Sequence, residues 1–155
     1  MEAQLGRYGL RTKDDWACKV LVRVISKKGV LLGYVVYRDE DMWKLLGGAK
    51  EPEDANPLAT LDRRMPYKTG LRGIEYRYVG KQWLHRHYWL LFVGTVQESA
   101  LKQVRGSGDG LAQFFPAAEF RGLIRNKKFL LKHYAALLKF ELLRPLEGDR
   151  TACAS

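Results

Sequence analysis

Trp43-Lys-Leu-Leu-Gly-Gly-Ala-Lys-Glu-Pro-Glu-Asp54, followed by Asn56-Pro-Leu-Ala-Thr-Leu-Asp-Arg-Arg-Met-Pro-Tyr-Lys-Thr-Gly-Leu71, is the stretch that decides the fold. A short apolar run, Met42 to Leu46, breaks at Gly47-Gly48 into a polar loop that lasts to Asn56. Asn56-Pro57 is a helix-start signal, because Asn can cap the first free amides and proline at the first helical position has none to lose. The helix is predicted from Pro57 to about Met65, with Leu58, Leu61 and Met65 as its buried stripe. Pro66 removes a backbone donor, so the helix ends or kinks there, and Gly70 is placed as its C-terminal stop.

On the N-terminal side, Ala17 to Ser26 alternates in part and is rich in β-branched residues, which predicts a strand. Lys27-Lys28-Gly29 reads as a turn into a second strand, Val30 to Arg38, so the pair forms a hairpin; Asp39 to Asp41 is another turn. On the C-terminal side two strands are expected, Ile74 to Leu84 and His87 to Val96. A flexible loop over Arg105 to Gly110 precedes a short strand, Ala112 to Phe115. Pro116 to Leu123 and Lys127 to Leu143 read as a short and a long helix. This order predicts a mixed sheet with helices packed on it, of the α/β or α+β class.

The 155 residues fit one domain, with residues 1–15 as an N-terminal arm, 16–144 as the domain and 145–155 as a disordered tail. Met1 to Asp15 mixes both charges and lacks the apolar core of a secretory signal, and no apolar run is long enough to span a bilayer. Cys18 and Cys153 are too few and too far apart for a disulfide framework or a zinc site, which points to a reducing, cytoplasmic setting. The unusual quantity is charge: 27 Lys and Arg against 17 Asp and Glu give a formal +10. That excess favours a polyanionic partner, a nucleotide polyphosphate or RNA, through Coulomb attraction and counterion release. The bland alternative is that the charge serves solubility. Nothing in the sequence speaks to the oligomeric state.

Trp43, Leu45, Gly47, Gly48, Glu51, Pro52 and the closing Gly70-Leu71 resemble the Nudix family. Its lead-in reads W-x-L-P-G-G and its box G-x5-E-x7-R-E-U-x-E-E-x-G-U, with U aliphatic. Phe114 to Phe120 likewise resembles the family's aromatic-x-x-x-E-L segment. The resemblance implies a Nudix-like mixed sheet sandwiched between helices. It also implies hydrolysis of nucleoside diphosphate derivatives with Mg or Mn held by the box glutamates.

The departures bear on that activity. Gly48 to Gly70 is one residue longer than the pattern. Counting from Gly48 puts Asp54 on the first box glutamate. Counting back from Gly70 puts Arg63 on the arginine, Arg64 on the next glutamate, and Tyr67 and Lys68 on the glutamate pair. Counting on from Asp54 instead puts Asp62 on the arginine position. Neither register leaves a carboxylate on the helix at a ligand position. Magnesium wants hard oxygen ligands, and a cation at that face repels it and attracts phosphate.

Two functions therefore stand side by side. In the first, the metal site is eroded and the protein binds a nucleotide or RNA with weak or no pyrophosphohydrolase activity. Arg63, Arg64 and Lys68, together with Tyr76, Arg77 and Tyr78, then serve phosphate contact and base stacking. In the second, displaced acids rebuild a hydrolase site, with Glu51, Asp54 and Asp62 as catalytic candidates. Glu51, Glu53 and Asp54 would be the metal candidates, and Glu98, Asp109 or Glu119 could join from elsewhere. A solvated acidic turn and a solvated basic helix face are the plain alternatives for these groups. Tyr76 and Tyr78 are expected to share one strand face, and Trp89 and Phe92 to fill the core. His85 and His87, two apart, would share a strand face without a third zinc ligand, and His133 would sit at the surface or the edge of the core.

Overall fold

The computed structural model describes residues 2–104 and 112–143. The chain runs α1 (Glu2–Gly6), β1 (Trp16–Val24), β2 (Gly29–Tyr37), β3 (Glu40–Lys44), β4 (Leu46–Ala49), α2 (Pro57–Thr69), β5 (Glu75–Leu84) and β6 (His87–Val96). A 3-10 turn (Glu98–Gln103), β7 (Ala112–Pro116), α3 (Ala117–Arg125) and α4 (Leu131–Lys139) complete it. The expected tail lies outside the described residues, as does the loop expected over Arg105 to Gly110.

The seven strands form one mixed sheet in the order β3-β2-β1-β6-β5, with β4 on β1 and β7 on β2. β1 is its axis. It pairs in parallel with β6 along its whole length, Trp16 opposite Tyr88 through Val24 opposite Val96. Its other edge is divided: Ala17 to Val20 pair with β4, and Val22 and Arg23 with β2. A strand buried on both faces should read as a near-continuous apolar run, and β1 does so except at Lys19 and Arg23.

Alternation sorts the side chains between two layers. Trp16, Cys18, Val20, Val22 and Val24 face the α2 side, where they meet Leu61, Met65, Leu90 and Phe92. Leu21 faces the other side with Leu45, Trp89, Leu91, Phe120, Phe129 and Leu137, beneath α3 and α4. The sheet is thus sandwiched between helices, as expected. Trp89 and Phe92 are both buried, on opposite faces. The first fifteen residues contribute to the core, since Leu5, Tyr8 and Leu10 are buried on the α2 side. Among the described residues no helix is long and apolar enough to cross a membrane.

Several local expectations need correction. Gly47 and Gly48 do not open the loop; they lie inside β4, opposite Lys19 and Cys18. The reason is close approach: a Cβ on Gly47, whose φ is 129°, would stand 2.0 Å from the Cys18 carbonyl oxygen. α2 does not end at Pro66 but runs through it to Thr69, where Gly70 at φ 82° donates its amide to the Pro66 carbonyl. His85 is not on a strand; it and Arg86, both at positive φ, form the turn between β5 and β6. The last helix starts at Leu131 rather than Lys127, because Phe129 makes a parallel bridge to Trp43. His133 is buried within it, at 5% exposure.

Candidate functional site

The loop between β4 and α2 is organised around Asp54. Asn56 caps α2, its side chain accepting from the Ala59 amide at 2.9 Å. Asp54, two residues earlier, is buried and fully engaged. Its Oδ2 accepts from the Glu51 amide (2.9 Å), the Thr60 hydroxyl (2.9 Å) and Arg63 Nη2 (2.8 Å), and its Oδ1 from Arg63 Nε (3.1 Å). Trp16 Nε1 donates to Thr60 Oγ1 at 3.0 Å, and Arg63 Nη2 also reaches the Ala49 carbonyl at 3.1 Å. The Arg63 guanidinium, with help from the Glu51 amide and Thr60, outweighs burial and holds the Asp54 carboxyl at about 2. This cluster ties β1, β4 and α2 together and engages both carboxylate oxygens of Asp54.

One turn along α2 the charge reverses. Arg64 lies across Gly48, whose missing side chain makes room for it: a Cβ there would sit 2.4 Å from Arg64 Nε. That Nε is buried with no hydrogen-bond partner among the described residues, an expensive state for a charged donor. Its guanidinium carbon stands 5.9 Å from the ring centre of Tyr67, which is itself exposed.

Lys19 faces the same region from β1, opposite Gly47. Its ammonium lies 4.6 Å from the centre of the Trp89 ring. Burial first, then the charges of Lys44 and Lys68, bring the Lys19 amine down to about 8. On the far side, His133 Nδ1 accepts the Leu45 amide at 3.1 Å. Leu45 sits between β3 and β4, so the imidazole takes the place of a strand partner. Burial, then Lys19, Lys44 and Lys132, hold His133 neutral, down at about 3. Around β4 the chain thus gathers cations: Lys44 and Lys68 act on Lys19 through their charge, and Arg64 covers Gly48 on the α2 side.

The remaining candidates are dispersed. Glu51, Glu53 and Asp62 are exposed, as are Arg77 and Glu119. Glu98 faces Lys27 at 3.8 Å. Asp109 lies outside the described residues. Tyr76 and Tyr78 do share a face, but it is the α2 face. Both rings pack on Phe92, and Tyr78 also meets Tyr8 edge-on at 4.9 Å. Among the described residues no three His, Cys, Asp or Glu side chains come together. A donor set of four cations does not suit magnesium, which requires hard anionic or neutral oxygens. Lys19, Lys44 and His133 were missed from sequence. The legible signal was a lysine in the middle of an otherwise buried strand.

The sequence matches no protein-family model and no curated protein. Among solved structures, the backbone is similar to that of a NUDIX-family hydrolase from Clostridium perfringens. The TM-score is 0.62 at 11% identity, covering 84% of this chain and 99% of that one. The chain has the Nudix fold. A NUDIX hydrolase from Nitrosomonas europaea superposes with a TM-score of 0.58 at 14% identity over 84% of this chain and 90% of that one. A mutT/nudix family protein from Listeria innocua gives 0.54 at 18% identity over 86% and 99%. At these identities the likeness is one of fold, and function has to be argued from the site.

Proposed function

We propose that this Nudix-fold protein binds the phosphate groups of a nucleotide polyphosphate or RNA without a metal, and has weak or no pyrophosphohydrolase activity. The observation that carries the reading is Arg64 lying across Gly48 with a buried, unpartnered Nε. The bond between Asp54 and Arg63, nine positions apart, supports counting the box from Gly48 up to Asp54 and back from Gly70 to Arg63. The extra residue then falls between them. Arg64 stands for the first helix glutamate, Tyr67 and Lys68 for the pair, and Asp54 with Arg63 for the acid and arginine before them. On that counting a carboxylate cradle has become a cationic one, and Asp54 is engaged in holding the loop.

A phosphate is the ligand that such a group of cations suits. It brings two or more negative charges and several acceptor oxygens to guanidinium and ammonium donors. The high net charge steers anions toward it from a distance. The test is calorimetric titration of the full chain with ATP and with a short single-stranded RNA, in EDTA and in magnesium, alongside a phosphate-release assay. Binding in EDTA that weakens with salt is expected, with about tenfold loss or more in Arg64→Ala, the scale of one charge-assisted hydrogen bond. Magnesium-dependent turnover, abolished by Glu51→Ala or Asp54→Ala, would replace this reading with that of a hydrolase using displaced acids.

A further inference from the structure

The tyrosines that the sequence offered for base stacking are spent elsewhere, since Tyr76 and Tyr78 pack on Phe92 in the α2 layer. Tyr67 presents an aromatic surface in their place. It stands on α2 one turn beyond Arg64 and is 80% exposed, more than Trp83 at 62% or Tyr37 at 48%. Exposure alone assigns nothing to a single aromatic side chain; what distinguishes Tyr67 is its neighbour. The Arg64 guanidinium carbon lies 5.9 Å from the ring centre, within cation–π range, and the Arg64 side chain is itself seated over Gly48. One side of the ring is therefore backed by a cation anchored against β4, the same cation whose buried Nε has no partner among the described residues. Among those residues no second ring and no other cation meets Tyr67, so its opposite side is open to solvent.

We propose that Tyr67 is the stacking platform for the base of a nucleotide whose phosphates are held at Arg64. The inference rests on the phosphate-binding reading of Arg64 and narrows it, from phosphate at large to phosphate attached to a nucleoside. The two contacts are spaced for such a ligand. A base in van der Waals contact with the open side of the ring, at about 3.5–4.0 Å, lies roughly 9–10 Å from the guanidinium, a span that a ribose and the first phosphates cover. The guanidinium donates to phosphate oxygens while its carbon stays near the ring, so one side chain serves both neighbours. Stacking uses the π face that every base has, so this contact recognises a nucleotide without reading its sequence.

The probes are ATP and inorganic tripolyphosphate, which carries three phosphates without ribose or base. The full chain, as wild type, Tyr67→Ala and Tyr67→Trp, is titrated with each in EDTA by calorimetry. Tyr67→Ala should weaken ATP binding about fivefold or more, the lower end of what stacking one base contributes, and leave tripolyphosphate binding unchanged. Tyr67→Trp should retain the ATP affinity, and ATP should quench its tryptophan fluorescence beyond the wild-type response where tripolyphosphate does not. Should Tyr67→Ala fail to fold, that differential quenching carries the same information. Unchanged ATP affinity in Tyr67→Ala, an equal loss for both ligands, or equal quenching by both overturns the platform. Tripolyphosphate binding to the wild type keeps the two failures apart. Where it binds and Tyr67→Ala spares ATP, the stacking inference alone falls; where the wild type binds no tripolyphosphate, the phosphate reading falls with it.

Discussion

Asp54→Asn separates a structural carboxylate from a catalytic one. The amide keeps one acceptor oxygen for the Glu51 amide and Thr60, but it turns an NH2 toward the Arg63 guanidinium, donor against donor. Lowering Asp54 from 3.8 to about 2 corresponds to about 2 kcal/mol of stability at neutral pH. Arg63 keeps 30% of its side chain exposed, so part of its charge returns to water. That holds the loss below the roughly 3–5 kcal/mol of a fully buried pair. Urea unfolding at pH 7 should show a loss of about 2 kcal/mol, and a melting temperature lower by about 4–8 °C for a chain of this size. The sign of the pH dependence follows from the depressed value. The contribution is complete above about pH 4 and disappears as pH falls toward about 2, so wild type and variant converge in acid. An Arg63→Met variant should lose a similar amount, and the double variant much less than the sum. Unchanged stability of Asp54→Asn at pH 7 would refute the argument. So would magnesium that stabilises the wild type and not the variant, since Asp54 would then be a metal ligand.

Three more outcomes follow from particular side chains. His133 is neutral in the fold and drops to about 3 from an ordinary 6.5, so the unfolded chain takes up a proton that the folded one refuses. Stability should therefore fall steadily from about pH 6.5 toward pH 3, and His133→Gln should flatten that slope in urea midpoints measured across the range. Gly47→Ala places a methyl 2.0 Å from the Cys18 carbonyl at φ 129°. It should cost more than about 3 kcal/mol or prevent folding, read by circular dichroism and melting. Cys18 is fully buried, its Sγ 3.6 Å from the Pro57 carbonyl, and burial pushes its thiol up. In a Cys153→Ser background it should react with a thiol reagent only after denaturant is added, whereas rapid native labelling would mean that α2 opens readily.

What the sequence allowed depended on how local the physics was. The strands β5 and β6, the cap at Asn56 and the stop at Gly70 were legible because each is set by neighbours within a few positions. Whether the helix ends or bends at Pro66 was not, because the burial of Met65 and Thr69 carries it past a missing hydrogen bond. Gly47 and Gly48 looked like a break. In a strand, glycine has meaning only through what approaches it, and that is the Cys18 carbonyl and the Arg64 side chain. The aromatic alternation of Tyr76 and Tyr78 was read correctly as a shared face. Which layer that face meets was not encoded nearby; Tyr8 and Phe92 decide it. The cations around β4 were the least legible part, since Lys19, Lys44, Arg64 and Lys68 come from β1, β3 and two turns of α2 and are set near β4 by its pairing with β1.

The pairing of β1 with β6 also bears on how the chain reaches this state. The central seam joins Trp16 to Tyr88 and Val24 to Val96, so it closes only after all of α2 and β5 lie between its two sides. The entropy of closing that loop is lost before any of the seam's contacts form, which places the step late and makes it slow. A nascent chain leaving the ribosome would hold Val20 to Val22 and Val30 to Leu32 uncovered until His87 onward had emerged. During that interval the apolar face of the first hairpin is open to other chains, and the cations at Lys19 and Arg23 are the only charges on β1 that interrupt it.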